Sequence, residues 1–279
     1  MATKKAVPKS VKTSVKKPAV SKTAKTSTKT TTVKAVVAPT KNGLFSKSPL
    51  SRAPFVGAII AEFIGTFLFA GAVIAGQGQP IIILFALAGI VLLVGTLSGA
   101  HLNPAITVGA LVTRKITGLR ALGYIVAQFL GALAAFGLLS LYIGGAAAPA
   151  ADAYGSAAPA LFEATKIPVG KEWFLFFSEL LGTAILGFAV ASALRIKGDR
   201  VASALTVGFG IFVALLLAAS AAAYVGGSAI INPAVALSLQ AIKWEIWPFA
   251  IYVLSPVIGA VIGFIVYDIL RVESDGGND

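Results

Sequence analysis

Six long apolar runs restrict this 279-residue chain to one broad class of fold, a bundle of membrane-spanning helices. A helix needs about 20 apolar residues to cross the roughly 30 Å hydrocarbon core of a bilayer, and each run comes close to that number or exceeds it. The sequence is 57% hydrophobic and 12% charged, which is typical of such a bundle and not of a soluble domain. The predicted helices lie near residues 54–76, 80–97, 120–144, 172–194, 201–223 and 247–270.

Two Asn-Pro-Ala tripeptides follow the second and the fifth apolar runs. They are Asn103-Pro104-Ala105 and Asn232-Pro233-Ala234. Asn is a preferred N-cap and Pro suits the first helical position, so each tripeptide predicts the start of a helix. Charged residues close each helix after about ten residues, or ~15 Å, which is half of the hydrocarbon core. Two such half-helices meeting end to end would together span one membrane.

The two halves of the chain carry related segments. Residues 62–66 (EFIGT) are echoed by residues 179–183 (ELLGT), and residues 124–132 are echoed by residues 252–260. Since each half has three full helices, an odd number, the second half must be inverted relative to the first. Inverted repeats with broken helices place the functional site near the midplane. Irregular backbone is tolerated there only where protein or a water-filled cavity satisfies it, so the sequence predicts a polar path through the centre.

The basic residues are unevenly distributed, and their distribution predicts the orientation. Residues 1–52 contain twelve Lys and Arg52 without an acidic residue, whereas the rest of the chain has a net charge of −1. With both termini in the cytoplasm, 20 of the 23 basic residues lie inside, as the positive-inside rule requires. The external ones are Lys166, Lys171 and Lys243. We therefore expect a multi-pass protein of the plasma (inner) membrane.

These assignments divide the chain into five parts. Residues 1–50 form a basic cytoplasmic tail that we expect to be disordered, because it has no sustained apolar period. The tail also lacks the apolar core of a secretory signal. It is either a solvated segment that enforces topology or a segment that contacts anionic lipid head groups or nucleic acid. The other parts are a first repeat at 54–144, an external connecting loop at 145–171, a second repeat at 172–271 and a short cytoplasmic C-terminus at 272–279.

The cysteine and histidine content excludes several kinds of chemistry. The chain has no Cys, which rules out disulfides, thiol catalysis and thiolate-bound metals, and its single histidine, His101, rules out a multi-histidine metal site. We predict no catalytic residue, no metal and no cofactor, so the protein is not expected to be an enzyme. A passive channel is favoured, and a gradient-coupled secondary transporter with inverted repeats is the alternative, although it would need a coupling-ion site.

Four segments of the chain resemble the major intrinsic protein family, the aquaporins and aquaglyceroporins, and the resemblance covers about residues 54–271. The segments are residues 61–67, 98–105, 127–132 and 232–234. The resemblance implies an all-α membrane fold with six transmembrane helices, two re-entrant half-helices and an inverted repeat. It also implies a homotetramer in the lipid bilayer with one pore per subunit. The expected activity is passive transport of water or small neutral solutes, with glycerol, urea, ammonia and dissolved gas as candidates.

The same resemblance suggests roles for the polar residues of the path. The amides of Asn103 and Asn232 would donate hydrogen bonds to a passing oxygen, and the half-helix N-termini would add positive charge that repels cations. Glu62 and Glu179 would brace the loops by accepting backbone N–H groups; a proton relay is the alternative, because intramembrane acids are usually functional. His101 lines the cytoplasmic mouth of the pore or is a structural residue satisfied by nearby backbone.

The chain departs from the family at the external constriction. Family members usually carry Arg directly after the second Asn-Pro-Ala, but Val235 stands there in this sequence. Counting family spacing without gaps gives Ile83, Ser220 and Ala229 as the other filter residues, and a small shift would bring in the ring of Phe85. The predicted filter is apolar and wider than that of a strict water channel. Its weaker cation barrier would leave more of the exclusion to the half-helices.

Deleting residues 1–45 is expected to leave folding and flux unchanged, because the tail carries charge but no apolar core. The truncated protein should bind anionic liposomes less strongly than the full chain in low salt, where charge attraction is least screened. Co-sedimentation with anionic and with zwitterionic liposomes at two salt concentrations measures this difference. Loss of assembly after the truncation would make the tail structural instead.

Overall fold

A computed structural model of the chain describes residues 53–145 and 161–275. The predicted tail, part of the connecting loop and the last four residues lie outside these ranges. The described residues are helical or irregular, and six of the helices are long and apolar enough to cross a membrane, which confirms the predicted fold class. The long helices are α1 (Ala53–Ala75), α2 (Pro80–Ser98), α4 (Gly118–Gly145), α5 (Glu172–Ala193), α6 (Arg200–Ala223) and the pair α8 (Ile246–Phe249) and α9 (Ser255–Asp275).

The two Asn-Pro-Ala tripeptides begin short helices, α3 (Pro104–Val112) and α7 (Pro233–Ser238). Asn103 and Asn232 both have extended backbone, and their side-chain oxygens accept from the N–H two residues on, at 2.8 and 3.0 Å. Proline follows at the first helical position, where its missing N–H costs nothing. Each tripeptide is therefore an N-cap for its half-helix, as the sequence predicts.

Both half-helices also end in the same way. After the last helical turn a residue adopts left-handed backbone, Arg114 with a φ of 59° and Gln240 with a φ of 58°. The next N–H then bonds back five residues, from Lys115 to Ala110 O at 2.8 Å and from Ala241 to Ala236 O at 2.9 Å. This is the hydrogen bond that closes a Schellman-type helix end. The repeat symmetry thus includes the helix ends as well as the motif.

A π-helical turn, Ala250–Leu254, joins α8 to α9, and the sequence does not predict it. The turn ends two residues before Pro256, which has no N–H and whose ring would clash with the carbonyl four residues earlier, that of Tyr252, in a regular helix. Widening one turn relieves that clash, which is a common cause of π-bulges in long helices.

Glycines allow two pairs of helices to touch backbone to backbone. A Cβ added at Gly131 of α4 would meet the Phe63 carbonyl of α1, and one added at Gly259 of α9 would meet the Leu180 carbonyl of α5. The two contacts are related by the repeat. Small residues at such crossings are the usual means of close packing between helices in lipid.

An ion pair holds the far end of the first half-helix. Lys115 Nζ, just past α3, lies 2.6 Å from Asp268 Oδ2 on α9, and also 5.5 Å from the centre of the Phe264 ring. Gly109 of α3 faces the same ring, with no room for a side chain. A cation at a helix C-terminus also interacts favourably with the helix dipole. α9 therefore fixes the direction of α3 and with it the position of Asn103.

Replacing either crossing glycine should destabilise the protein. Gly131→Val and Gly259→Val force side-chain atoms into a facing backbone carbonyl, and overpacking of this kind typically costs about 1–3 kcal/mol. The matched control is Gly137→Val on α4, because a Cβ added at Gly137 meets nothing within 4 Å. The apparent melting temperature in detergent, followed by size-exclusion chromatography after heating, measures the effect. A control variant that melts as early as Gly131→Val would contradict the crossing argument.

Candidate pore

The N-termini of α3 and α7 meet through reciprocal hydrogen bonds. Asn103 Nδ2 donates to the carbonyl of Ile231 at 2.8 Å, and Asn232 Nδ2 donates to the carbonyl of Leu102 at 2.9 Å. Each acceptor is the residue before the other Asn, and both acceptors have left-handed backbone, with φ of 52° for Leu102 and 54° for Ile231. Such strained backbone persists where surrounding contacts fix it. Each amide keeps a second N–H that this contact does not use.

Glu62 accepts four hydrogen bonds from the first pore loop and its surroundings. Its Oε1 accepts from the Ser98 hydroxyl at 2.6 Å and from the His101 N–H at 2.9 Å. Its Oε2 accepts from the Leu102 N–H and from Gln128 Nε2, both at 2.7 Å. The side chain is fully buried. A buried carboxylate needs such donors, because charge without them is costly in a low dielectric.

Glu179 has the same position in the second repeat but fewer partners. Its two oxygens accept from the N–H groups of Ile230 and Ile231, at 2.5 and 2.7 Å. The residues equivalent to Ser98 and Gln128 are Gly227 and Pro256, which have no side-chain donor. The two carboxylates are therefore unequal, since Glu62 accepts from backbone and side-chain donors and Glu179 accepts from backbone donors.

His101 lies at the centre of the molecule and is buried. Its Nδ1 lies 3.2 Å from the Thr107 hydroxyl, and its ring meets the Tyr124 ring edge-on, with 5.4 Å between centroids. Together with Asn103 and Asn232 it lines a cavity of about 10 Å³. A cavity of that size holds about one water. His101 is thus satisfied by side chains and also borders the smallest of the cavities described below.

Three cavities follow one another along the helices and outline a path. The outer cavity, named for the predicted external side, has about 160 Å³; the central cavity has about 10 Å³; and the inner cavity has about 220 Å³. Side chains one helical turn apart line them in succession, as the i, i+4 period requires. The lining residues are Ile83, Leu87, Val91 and Gly95 on α2; Leu215, Ile211, Val207 and Ser203 on α6; and Leu186, Val190 and Ala193 on α5.

The outer cavity contains three of the four residues proposed for the filter. Ile83, Ala229 and Val235 line it together, whereas Ser220 is exposed and Ala219 takes its place. The cavity-facing stripe of α6 advances by four residues, from 203 to 219, so residue 220 lies about 100° away from it. An ungapped count is therefore one residue out on this helix. Phe85 is 66% exposed on the opposite side of α2 from Ile83 and cannot supply a ring.

Several lining residues were not predicted from the sequence. Phe69, Leu215, Leu239 and Phe162 all border the outer cavity. The helical period gives Leu215 once Ala219 is known, since the two lie four residues apart. No local pattern could have identified Phe162, because it lies in an irregular segment whose path depends on tertiary contacts.

Charge is confined to the inner end of the path. Within the described part of the chain, no charged side chain lines the outer or central cavity, while Asp199 and Arg200 border the inner one. Asp199 is the N-cap of α6 and accepts from the Ala202 N–H at 2.8 Å; Arg200 donates to the Leu92 carbonyl at 2.5 Å. Residues 53–145 and 161–275 contain no cluster of three or more metal-ligating side chains.

The chain is similar in sequence and in structure to known membrane channels. Residues 49–267 match the family model described as Major intrinsic protein. Nodulin-26 of Glycine max is 30% identical over 254 residues, 85% of this chain and 88% of its own. Aquaporin AqpM of Methanothermobacter marburgensis is 31% identical over 201 residues, 68% of this chain and 74% of its own. The aquaglyceroporin from Plasmodium falciparum has a TM-score of 0.59 at 22% identity, over 80% of this chain and 100% of that one, which supports the fold.

Substituting the two carboxylates tests their role as acceptors. Glu62→Gln and Glu179→Gln keep one carbonyl oxygen, so each should be tolerated better than the Leu variant, which leaves N–H groups unsatisfied at roughly 1–3 kcal/mol each. Gln should cost more at position 62, where four donors converge, than at position 179, where two do. Thermal stability and water flux in proteoliposomes measure both effects. Equal flux loss in Gln and Leu variants that fold normally would favour the proton relay.

Proposed function

The chain belongs to the major intrinsic protein family and is a passive membrane channel for water or small solutes, and we propose that its pore passes small neutral solutes larger than water. The observation that carries this proposal is the outer cavity, with about 160 Å³ and a lining without a charged side chain among the described residues. The central cavity, with about 10 Å³, holds about one water, so the much larger outer cavity has room for several waters or for one small polyol or amide.

Val235 is the centre of this argument. It is buried in the wall of the outer cavity, where the family usually has Arg. A guanidinium would bring five donors and a permanent charge, whereas Val brings neither and leaves space. The small side chains of Ala219 and Ala229 border the same cavity and add to that space.

The same lining favours neutral solutes over ions. Ser228 supplies the hydroxyl in the wall, and the other side chains are apolar or small. An ion entering this cavity would lose hydration without gaining a counter-charge, and the desolvation penalty is several kcal/mol per ion. The positive ends of α3 and α7 add a further barrier to cations at the centre.

The paired Asn amides account for proton exclusion in this proposal. Each keeps one N–H for the path, and together they can donate to the oxygen of a single water in the central cavity. A water held in this way has both lone pairs engaged, so it cannot accept a proton from its neighbour. Glu62 and Glu179 hold the two pore loops; their hydrogen bonds to backbone N–H groups support bracing over a proton relay. Membership in this family does not favour the alternative function, a gradient-coupled transporter.

The proposal also includes the assembly and its location. The protein forms a homotetramer in the plasma (inner) membrane, with both termini in the cytoplasm. The large exposed apolar side chains of the long helices are consistent with lipid and subunit contacts. All three Trp residues of the chain lie at the predicted external end, where interfacial aromatic residues are common. They are Trp173, Trp244 and Trp247. Anionic lipid head groups remain the proposed partners of the tail.

Val235→Arg is expected to lower the ratio of glycerol to water permeability and to strengthen cation exclusion. The long side chain narrows the outer cavity and adds positive charge. Burying an unpaired Arg is costly, so each permeability is normalised to the amount of folded protein recovered by size-exclusion chromatography. The measurement is stopped-flow flux of both solutes in the same vesicles, with Val169→Arg, at a position 95% exposed, as the control for added charge. A native protein that excludes glycerol outright would contradict the proposed selectivity.

A further inference from the structure

One wall of the outer cavity comes from outside the helix bundle. We infer that Phe162, in the irregular segment before α5, is a specificity-determining residue whose ring limits the size of the neutral solutes that enter the pore. The inference rests on the proposed function. Phe162 lines the outer cavity together with Ile83, Ala229 and Val235, so a solute that passes the filter residues also passes this ring.

The Phe162 ring packs against the turn between α1 and α2. Gly78 has left-handed backbone, with a φ of 68°, and a Cβ added there would fall 2.5 Å from Phe162 Cζ and 2.7 Å from Cε1. The edge of the ring therefore rests directly against the backbone of residue 78. Only glycine provides this combination of conformation and space without strain.

Hydrogen bonds to the second pore loop and to the end of α7 fix the segment that carries the ring. The Ala164 N–H donates to the Leu239 carbonyl at 3.1 Å. The Thr165 N–H donates to Ser228 Oγ at 3.0 Å, and the two hydroxyls are also 3.0 Å apart. Leu239 and Ser228 themselves line the outer cavity. The ring is thus attached to the walls of the pore.

The composition of the cavity explains why a ring at this place decides selectivity. Ala219, Ala229 and Val235 are small, and α2 contributes the aliphatic side chain of Ile83. A Phe side chain has only two torsions, so once seated it keeps a defined shape at low entropic cost. Truncating it removes a rigid group from the cavity wall, and the small side chains of Ala219, Ala229 and Val235 cannot fill the space.

The experiment compares Phe162→Ala and Phe162→Trp with the native full-length chain in proteoliposomes. Stopped-flow permeabilities are measured for water, urea, glycerol and erythritol. Phe162→Ala should raise erythritol permeability relative to water by about tenfold, the factor that ~1.4 kcal/mol of barrier produces. Phe162→Trp should lower both glycerol and erythritol permeability relative to water. Opposite shifts from a smaller and a larger side chain are not expected from a change in folding.

Two further variants separate the ring from its support. Phe85→Ala is the matched control, because it removes a ring of the same size from a residue 66% exposed on the outside of α2, and it should change no ratio. Thr165→Val removes one hydroxyl that holds the segment and does not line the outer cavity. It should shift the ratios in the same direction as Phe162→Ala but less, since the ring remains and two of the three anchoring contacts persist.

The outcomes distinguish this inference from the proposed function. If folded Phe162→Ala and Phe162→Trp both keep the native permeability ratios, Phe162 has no role in specificity, whatever the native protein conducts. If the native protein excludes glycerol but Phe162→Ala admits it, the proposed wide filter is wrong and the role of Phe162 is supported. If Phe162→Ala does not fold, Phe162→Leu replaces it and should give a smaller shift in the same direction; unchanged ratios there overturn the inference.

Discussion

Two chain segments leave the helical hydrogen-bond pattern in the middle of the membrane, where lipid offers no partner to their N–H and C=O groups. The protein supplies those partners itself. Glu62 and Glu179 accept the N–H groups that precede each half-helix, and the amides of Asn103 and Asn232 pair with the carbonyls of the opposite loop. Because these contacts fix both loops, they also fix the narrow centre of the path. The residues that line the outer and inner cavities lie on either side of this centre.

The two halves of the inverted repeat have similar backbone geometry, but different sets of hydrogen bonds hold their pore loops. Both half-helices have Asn as the N-cap and a residue with left-handed backbone directly before it, Leu102 or Ile231. Both also end with the same type of closing hydrogen bond. The first loop is additionally held by Ser98, Gln128 and the His101–Thr107 contact, whereas the second loop has backbone N–H donors alone at Glu179. The second loop also carries Ala229, which lines the outer cavity.

Two parts of the chain meet at the outer cavity: the second half-helix with its loop, and the segment before α5. The second half-helix contributes Val235 and the loop before it contributes Ala229, so neither side chain brings charge or polarity to this wall. The segment before α5 crosses to the same place and is bonded to Ser228 and Leu239. Selectivity in the proposed mechanism therefore depends on shape and desolvation, with an apolar ring and small side chains where a charged group is usual.

The sequence by itself determined the number of helices, the two half-helices and the family, because apolar length and capping chemistry act over a few residues and depend little on context. It also predicted Ile83, Ala229 and Val235 as filter residues from their spacing to the two motifs, and the three line one cavity. Tertiary structure decided that α6 presents Ala219 and not Ser220, since a helix rotates by about 100° per residue and a one-residue offset changes the side it shows. It also decided the place of Phe162, because hydrogen bonds to residues more than sixty positions away set the path of an irregular segment.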